Sequence, residues 1–130
     1  MTNRIRVAVI GTGRIGRRHA RTLAHQTPNA ELVVVADANE ATARDMAAEL
    51  RVPSWTTDTA TVFADPNIDA VVIAASTDFH APLIIAAAQS GKHVFCEKPI
   101  ALDLENTDRA IAAVEQAAAH RDYLRSTCGI

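Results

Sequence analysis

A short glycine-rich segment carries the clearest chemical signal in the sequence. Residues 11–16 read Gly11-Thr12-Gly13-Arg14-Ile15-Gly16 and fit the G-x-G-x-x-G pattern. Such turns are common, so the pattern is informative only between a buried strand and a helix. Here it follows the apolar run Ile5–Ile10 and opens a helical pattern. Because free N–H groups at a helix start attract anions, the segment, with Thr12, Arg14 and Ile15 at its variable positions, predicts a site for a dinucleotide pyrophosphate.

An acidic residue after the next apolar run indicates which dinucleotide is bound. Asp37 closes the predicted strand Leu32–Ala36 and lies 21 residues beyond Gly16. A carboxylate at this place accepts hydrogen bonds from the adenosine ribose hydroxyls and repels a 2′-phosphate. No Arg or Lys follows before Arg44. The sequence therefore predicts NAD in preference to NADP, and the alternative is that Asp37 is only a turn or capping residue.

A polar segment follows the fourth apolar run, Asp69–Ala75. Its residues Ser76 and Thr77 are predicted to line the groove beside a bound dinucleotide, because ligands of open α/β sheets bind at the carboxyl ends of the strands. Thr77 is also a candidate N-cap for the next helix, and the two roles are compatible. His80 lies in the first helical turn, where it is either a cofactor-binding residue or a structural one.

A lysine follows the fifth apolar run, His93–Cys96. Glu97 and Lys98 come directly after this run and precede Pro99, so they are predicted to lie at the same edge of the sheet, and Glu97 is predicted to contact the cofactor. An ammonium group there can hydrogen-bond a substrate hydroxyl and lower the pKa of a neighbouring base during hydride transfer. The alternative is an ordinary exposed lysine, and spacing alone does not decide between the two.

The elements that position these residues alternate between apolar runs and helical patterns. This alternation predicts an α/β fold, a doubly wound parallel sheet (the Rossmann fold) in three layers. Asn39 and Asp103 are predicted helix N-caps. Two helices have predicted inner faces, which are Ile15, His19, Thr22 and Leu23 in the first and Leu104, Ile111, Val114 and Ala118 in the last.

The last eleven residues lack the pattern of a strand. Residues 120–130 show neither alternation nor an apolar run, so residues 1–119 are predicted to form the domain and the rest an irregular tail. The sixth strand of the usual order 3-2-1-4-5-6 is expected to be missing. The fifth strand would then be an unpaired edge, which predicts self-association through it.

Composition excludes some classes of partner. The formal net charge is −2, which gives no general attraction to nucleic acid or to an anionic membrane. In the run Arg14, Arg17, Arg18 and Arg21, the last three are interpreted as a solvated helix face, because one basic helix gives too little coverage for phosphate-backbone binding, and Arg14 is expected to contact the pyrophosphate. The two cysteines form no recognisable metal or disulfide pattern. We therefore expect a cytoplasmic protein without a metal, nucleic acid or membrane partner.

Several of these motifs together resemble one family. The glycine segment, Asp37, Ser76-Thr77 with His80, and above all the run from Gly91 to Pro99 are similar to the glucose–fructose oxidoreductase, inositol dehydrogenase and rhizopine catabolism (Gfo/Idh/MocA) family. The likeness runs from about residue 4 to residue 119. The stretch from Gly11 to Ala20 most resembles the inositol 2-dehydrogenase branch.

The resemblance implies a function that the motifs alone do not give. Members of the family oxidise a secondary hydroxyl of a sugar or cyclitol by hydride transfer to NAD(P), and Lys98 corresponds to their active-site lysine. They carry a second domain with the substrate pocket and the catalytic histidine, and this sequence is expected to lack it. Turnover would then need that domain from elsewhere. The other interpretations are a non-catalytic NAD-binding module and a non-functional truncated fragment.

Overall fold

Strands and helices alternate along the described part of the chain. The computed structural model describes residues 4–26, 28–96, 103–121 and 127–128. The elements are β1 (Ile5–Ile10), α1 (Arg14–His25), β2 (Ala30–Ala36), α2 (Glu40–Leu50), β3 (Ser54–Thr56), α3 (Thr59–Ala64), β4 (Ala70–Ile73), a 3-10 turn (Thr77–Phe79), α4 (His80–Gln89), β5 (His93–Cys96), α5 (Leu104–Arg121) and β6 (Thr127–Cys128). These strands are parallel to their neighbours, in the order β3-β2-β1-β4-β5-β6.

The sheet separates two apolar cores. Successive residues of a strand point to opposite faces, so β1 contributes Val9 to one core and Ile10 to the other. On the first face the core is completed by α1 and α2, with Met46 among its buried residues. On the second face it is completed by α3, α4 and α5, with Ile84 and Ala110 among them. The predicted three-layer Rossmann fold is confirmed.

The inner face of α1 differs from the prediction. Gly16 and Ala20 are its buried residues, whereas Ile15 is 42% exposed and Thr22 is exposed. Leu23 packs against the core as predicted, and His19 contacts the ring of Phe95 edge-on at 5.5 Å between centroids. Small residues face the sheet because α1 starts so close to β1 that no larger side chain fits, and a hydrophobic pattern does not reveal such a face.

The helix α5 also turns a different face inward. Asp103 caps it as predicted, since its Oδ1 accepts a hydrogen bond of 2.7 Å from the N–H of Asn106. Ala110 is buried and Val114 packs against the core, but Leu104 is 80% exposed and Ile111 is 42% exposed. The predicted face was therefore wrong at Leu104 and Ile111, and Ala110 is buried against the core beside Val114.

A buried lysine ties the end of α4 to the loop before β4. Gly91 follows α4 with a φ of +76°, and the N–H groups of Gly91 and Lys92 donate to carbonyls of the last helical turn. Lys92 is 4% exposed. Its Nζ donates to the carbonyl oxygens of Asp65 at 2.7 Å and Ile68 at 2.9 Å. The ammonium thus fixes the loop at the end of the sheet opposite the strand carboxyl ends.

The sixth position of the sheet is occupied, contrary to the prediction. Thr127 and Cys128 form the two-residue strand β6, which is paired with Phe95 and Cys96 of β5. The tail is therefore not irregular throughout, and α5 extends to Arg121. An edge strand of two residues needs no apolar run and is too short to show alternation. Self-association was predicted because the edge of β5 was expected to be unpaired, but at Phe95 and Cys96 this edge is paired with β6.

No helix within the described part of the chain is both long and apolar enough to cross a membrane.

Candidate functional site

The carboxyl ends of the four neighbouring strands β2, β1, β4 and β5 are aligned, and the candidate residues follow these strands in the sequence. Ile10 pairs with Ala36 and with Ile73, and Ile73 pairs with Cys96. The residues directly after β1, β2 and β4 therefore lie at the same edge of the sheet. The glycine segment follows β1, Asp37 follows β2, and residues 74–76 follow β4.

The first and last glycines of the segment have no room for a side chain. Gly11 has a φ of +95°, and a Cβ there would lie 2.6 Å from the backbone N of Ala75. A Cβ on Gly16 would lie 1.7 Å from the carbonyl oxygen of Gly11. The predicted tight turn and close helix packing are therefore present.

Gly13 is different, because it faces open space. It is the N-cap of α1, and a Cβ placed on it would meet nothing within 4 Å. The first intrahelical hydrogen bond runs from the N–H of Arg17 to the carbonyl of Gly13 at 2.8 Å. The N–H groups of the first turn have no acceptor within the helix, so they can donate to an anion in that space. This is the cradle that a pyrophosphate requires.

Asp37 is fixed by three hydrogen bonds from the chain itself. Its Oδ2 accepts from the N–H of Thr12 at 2.8 Å and from the hydroxyl of Thr12 at 2.9 Å. Its Oδ1 accepts from the N–H of Asn39 at 2.9 Å. Partial burial raises the pKa of Asp37, but the hydrogen bonds from Asn39 and Thr12 together outweigh it and lower the pKa below its ordinary value. The carboxylate is therefore ionised at neutral pH.

The glycine segment and Asp37 line one groove, together with the residues after β4. Its volume is about 610 Å³, which lies within the range typical of small-molecule sites. Among the predicted site residues, the groove brings together Gly11, Gly13, Arg14, Ile15, Asp37 and Ser76.

Other predicted residues lie around this groove. Thr12 and Gly16 are buried beneath the loop. His80 is 2% exposed, and its Nε2 lies 2.8 Å from the carbonyl oxygen of Ala75, so it holds the segment that lines the groove. Thr77 begins the 3-10 turn before α4. Glu97 and Lys98 lie outside the described residues.

The groove has lining residues that the sequence did not indicate. Thr57 and Thr59 follow β3 and reach the groove beside Asp37 and Ala38, and Phe79 and Leu83 line it from the 3-10 turn and α4. Phe79 is 58% exposed. An aromatic residue between Asp78 and His80, in a polar segment at the ligand edge, was a signal that could have identified it.

The arginines of α1 form a separate basic surface. Arg14, Arg17, Arg18 and Arg21 line an open groove on the outer side of the helix. Arg17 and Arg18 are exposed, and Arg21 donates to Glu49 at 3.0 Å. This arrangement fits the solvated helix face predicted from the sequence, and Arg14 is shared with the groove at the glycine segment.

Comparison with known proteins agrees with this geometry. The model of an oxidoreductase family with an NAD-binding Rossmann fold matches residues 5–120. The chain is 41% identical over 116 residues to scyllo-inositol 2-dehydrogenase (NAD(+)) of Bacillus subtilis, covering 89% of this chain and 34% of that protein. It is 42% identical over 113 residues to myo-inositol 2-dehydrogenase of Thermotoga maritima, covering 87% and 34%. The chain thus spans about a third of the length of these curated relatives.

Solved structures show the same likeness. Myo-inositol 2-dehydrogenase from Lactobacillus plantarum superposes with a TM-score of 0.89 at 32% identity, covering 97% of this chain and 36% of that one. Scyllo-inositol dehydrogenase from Lactobacillus casei with bound NAD(H) and scyllo-inositol superposes with a TM-score of 0.84 at 33% identity, covering 97% and 36%.

Proposed function

The chain belongs to the oxidoreductase family with an NAD-binding Rossmann fold, and on this premise we propose that it holds NAD(H) in the groove at the glycine segment for hydride exchange with a cyclitol or sugar hydroxyl. The observation that carries the proposal is the meeting of Gly13 and Asp37 in one groove. Gly13 leaves space for the pyrophosphate, and Asp37 supplies an ionised acceptor for the adenosine ribose.

The groove residues have distinct tasks. The N–H groups at the start of α1 donate to the pyrophosphate, and Arg14 adds a positive charge beside it. Asp37 accepts a hydrogen bond from the ribose and opposes a 2′-phosphate. Ser76 lines the groove at the end of β4. The bound nicotinamide supplies the position that takes or gives the hydride.

Lys98 completes the proposal on the substrate side. In the sequence it comes two residues after Cys96, the last residue of β5, and Cys96 itself pairs with Ile73 in the row of strand ends. Its proposed task is to hydrogen-bond the hydroxyl that is oxidised, and this rests on the family resemblance. The substrate class rests on the relatives, which are inositol dehydrogenases of whose length this chain covers about a third. A cytoplasmic location belongs to the same proposal.

The binding claim is tested by thermal unfolding of residues 1–130 with NAD⁺, NADH, NADP⁺ or NADPH. A ligand that binds only the folded state stabilises it by about 2.7 kcal/mol at 100 times its dissociation constant. We expect NAD(H) to raise the melting temperature and NADP(H) to do so much less. A cooperative melt that none of the four shifts would contradict the proposal.

A pair of variants tests whether the Asp37 carboxylate sets the preference for NAD(H) over NADP(H). Asp37→Asn removes the charge in the groove, and Asp45→Asn removes one from the exposed face of α2. We expect the first to reduce the preference for NAD(H) and the second to leave it unchanged. Equal effects would mean that overall charge, and not Asp37, sets the preference.

Turnover separates the enzyme from the non-catalytic binding module. NADH formation from scyllo-inositol or myo-inositol by the chain, reduced by Lys98→Ala, supports the proposed reaction. Tight NAD⁺ binding without NADH formation, both by the chain alone and with the second domain of a relative added, would favour the binding module.

A further inference from the structure

The residue between the first two glycines is buried and bonded to the acidic residue of the groove. Thr12 has no exposed surface, which is unusual for a polar side chain in a ligand-binding loop. Its hydroxyl and its backbone N–H both donate to the same oxygen, Oδ2 of Asp37. Thr12, at the variable position between Gly11 and Gly13, thus hydrogen-bonds the carboxylate of Asp37, 25 residues further along the chain.

The hydrogen bonds use most of the carboxylate's acceptor capacity. A carboxylate has about four acceptor positions, two on each oxygen. Thr12 occupies both positions on Oδ2, and the N–H of Asn39 occupies one on Oδ1. One position on Oδ1 remains for a ligand. The bonds at both oxygens fix the plane of the carboxylate, so it cannot rotate away from an approaching group.

We propose that Thr12 is a positioning residue, whose hydroxyl fixes the Asp37 carboxylate for a ribose hydroxyl and thereby strengthens the preference for NAD(H) over NADP(H). The inference rests on the proposed function. A hydroxyl of the ribose can donate to the remaining position on Oδ1. A 2′-phosphate is repelled by the negative charge of Asp37. Because the carboxylate is held in place and cannot rotate away, this repulsion is not relieved.

The variant that tests this removes the hydroxyl and keeps the shape. Thr12→Val retains the backbone N–H and the branched side chain but loses the bond from Oγ1 to Asp37. Thr12→Ser is the matched control, because it keeps the hydroxyl and loses only a methyl group. Thr12→Ala removes the hydroxyl without placing a methyl group against Oδ2, and it replaces Thr12→Val if that chain does not melt cooperatively.

Fluorescence titration with NADH and NADPH measures both affinities for the 130-residue chain. In Thr12→Val one of the three bonds that hold the carboxylate is lost and binding must immobilise the group again, which predicts an NADH dissociation constant about five- to tenfold higher, with a smaller change for NADPH. Thr12→Ser should stay within about threefold of the original chain. Unchanged affinities in Thr12→Val, equal losses for NADH and NADPH, or equal losses in Thr12→Val and Thr12→Ser would overturn the proposal.

A titration of the Asp37 carboxyl carbon by NMR tests the contact without a cofactor. Thr12→Val should raise the pKa of Asp37 and Thr12→Ser should not, since only the former removes a donor to the ionised form. The charged residues at the starts of the surrounding helices are Arg14, Glu40 and Asp58, and all variants retain them.

The cofactor titration and the Asp37 titration distinguish a failure of the proposed function from a failure of the role proposed for Thr12. If the original chain binds none of the cofactors, the proposed function fails, and the titration still decides whether Thr12 positions the carboxylate. If the original chain binds NADH but Thr12→Val leaves both the affinity and the pKa unchanged, the proposed function stands and the role of Thr12 is wrong.

Discussion

Gly13 and Gly16 lie three residues apart, yet a methyl group added to each should have opposite consequences. A Cβ on Gly13 meets nothing within 4 Å, whereas one on Gly16 falls 1.7 Å from the carbonyl oxygen of Gly11. Gly13→Ala should therefore spare the fold and impair binding, and Gly16→Ala should impair the fold itself. The pair separates the space kept for a ligand from the space needed for packing.

The magnitudes for Gly13→Ala follow from its conformation. Alanine adopts the φ of −72° found at Gly13 without strain. Because alanine restricts the unfolded chain more than glycine does, the substitution raises the free energy of unfolding by about 0.4–1 kcal/mol. Alanine is a poorer N-cap than glycine, which costs a similar amount, so the free energy of unfolding should change by less than about 1 kcal/mol. The methyl group fills the space proposed for the pyrophosphate. Losing one hydrogen bond to a charged group costs about 1.5–3 kcal/mol, so NADH binding should weaken about 10- to 100-fold.

Gly16→Ala provides the contrast. The methyl group must push α1 away from β1, and overpacking of this kind costs about 1–3 kcal/mol. For a chain of this size we expect the melting temperature to fall by about 4 °C per kcal/mol. Thermal unfolding and NADH fluorescence titration measure both variants. If Gly13→Ala binds NADH as tightly as the original chain does, the pyrophosphate does not cross the backbone at Gly13 and the reasoning is refuted.

Three further predictions concern stability. Lys92→Met removes the donor to the carbonyls of Asp65 and Ile68 and should lower the free energy of unfolding by about 2 kcal/mol, and an unchanged urea midpoint would contradict this. Arg51 ends α2 at a φ of 57°, so Arg51→Gly should raise the urea midpoint by the equivalent of about 0.5–1 kcal/mol, and a fall would show that the left-handed conformation is not strained. Because folding lowers the pKa of Asp37, its carboxylate stabilises the fold above the unfolded pKa of about 3.9, and this contribution is lost as the pH falls through the lower folded value. The difference in urea midpoint between the original chain and Asp37→Asn should therefore shrink below about pH 4, and a difference that is constant from pH 7 to pH 3 would refute the assignment.

The strand ends and the residues after them could be predicted from sequence. Apolar runs mark β1, β2, β4 and β5 in the sequence, and turn residues follow each run. Because parallel strands place their carboxyl ends at one edge, Gly11, Asp37 and Ser76 could be assigned to one site before their contacts were known. The groove brings them together as predicted.

The helix faces could be predicted only in part. Pattern reasoning looks for large apolar residues, so it placed Ile15 and Leu104 inward. The buried residues of these helices include Gly16, Ala20 and Ala110, and at Gly16 the backbone of Gly11 comes so close that no side chain fits. Such residues carry little hydrophobic signal, and their role emerges only when two elements are packed together.

The sequence also could not show which way a side chain points or which distant segments of the chain come together. The glycine motif marked Thr12 as a site residue, but it could not show that its side chain turns inward to Asp37. The strand β6 was missed because two residues give no periodicity. Thr57 and Phe79 were missed as groove residues because their approach to the glycine segment depends on the packing of β3 and α4.

The location of the bound cofactor is the central claim, and amide NMR of the chain titrated with NAD⁺ tests it most directly. The account predicts that the signals of Gly11, Gly13 and Ser76 shift with the same dissociation constant. The signals of Gly91 and Lys92, after α4 at the opposite end of the sheet, should stay in place. Shifts centred on Gly91 and Lys92, or no shift at saturating NAD⁺, would contradict the account.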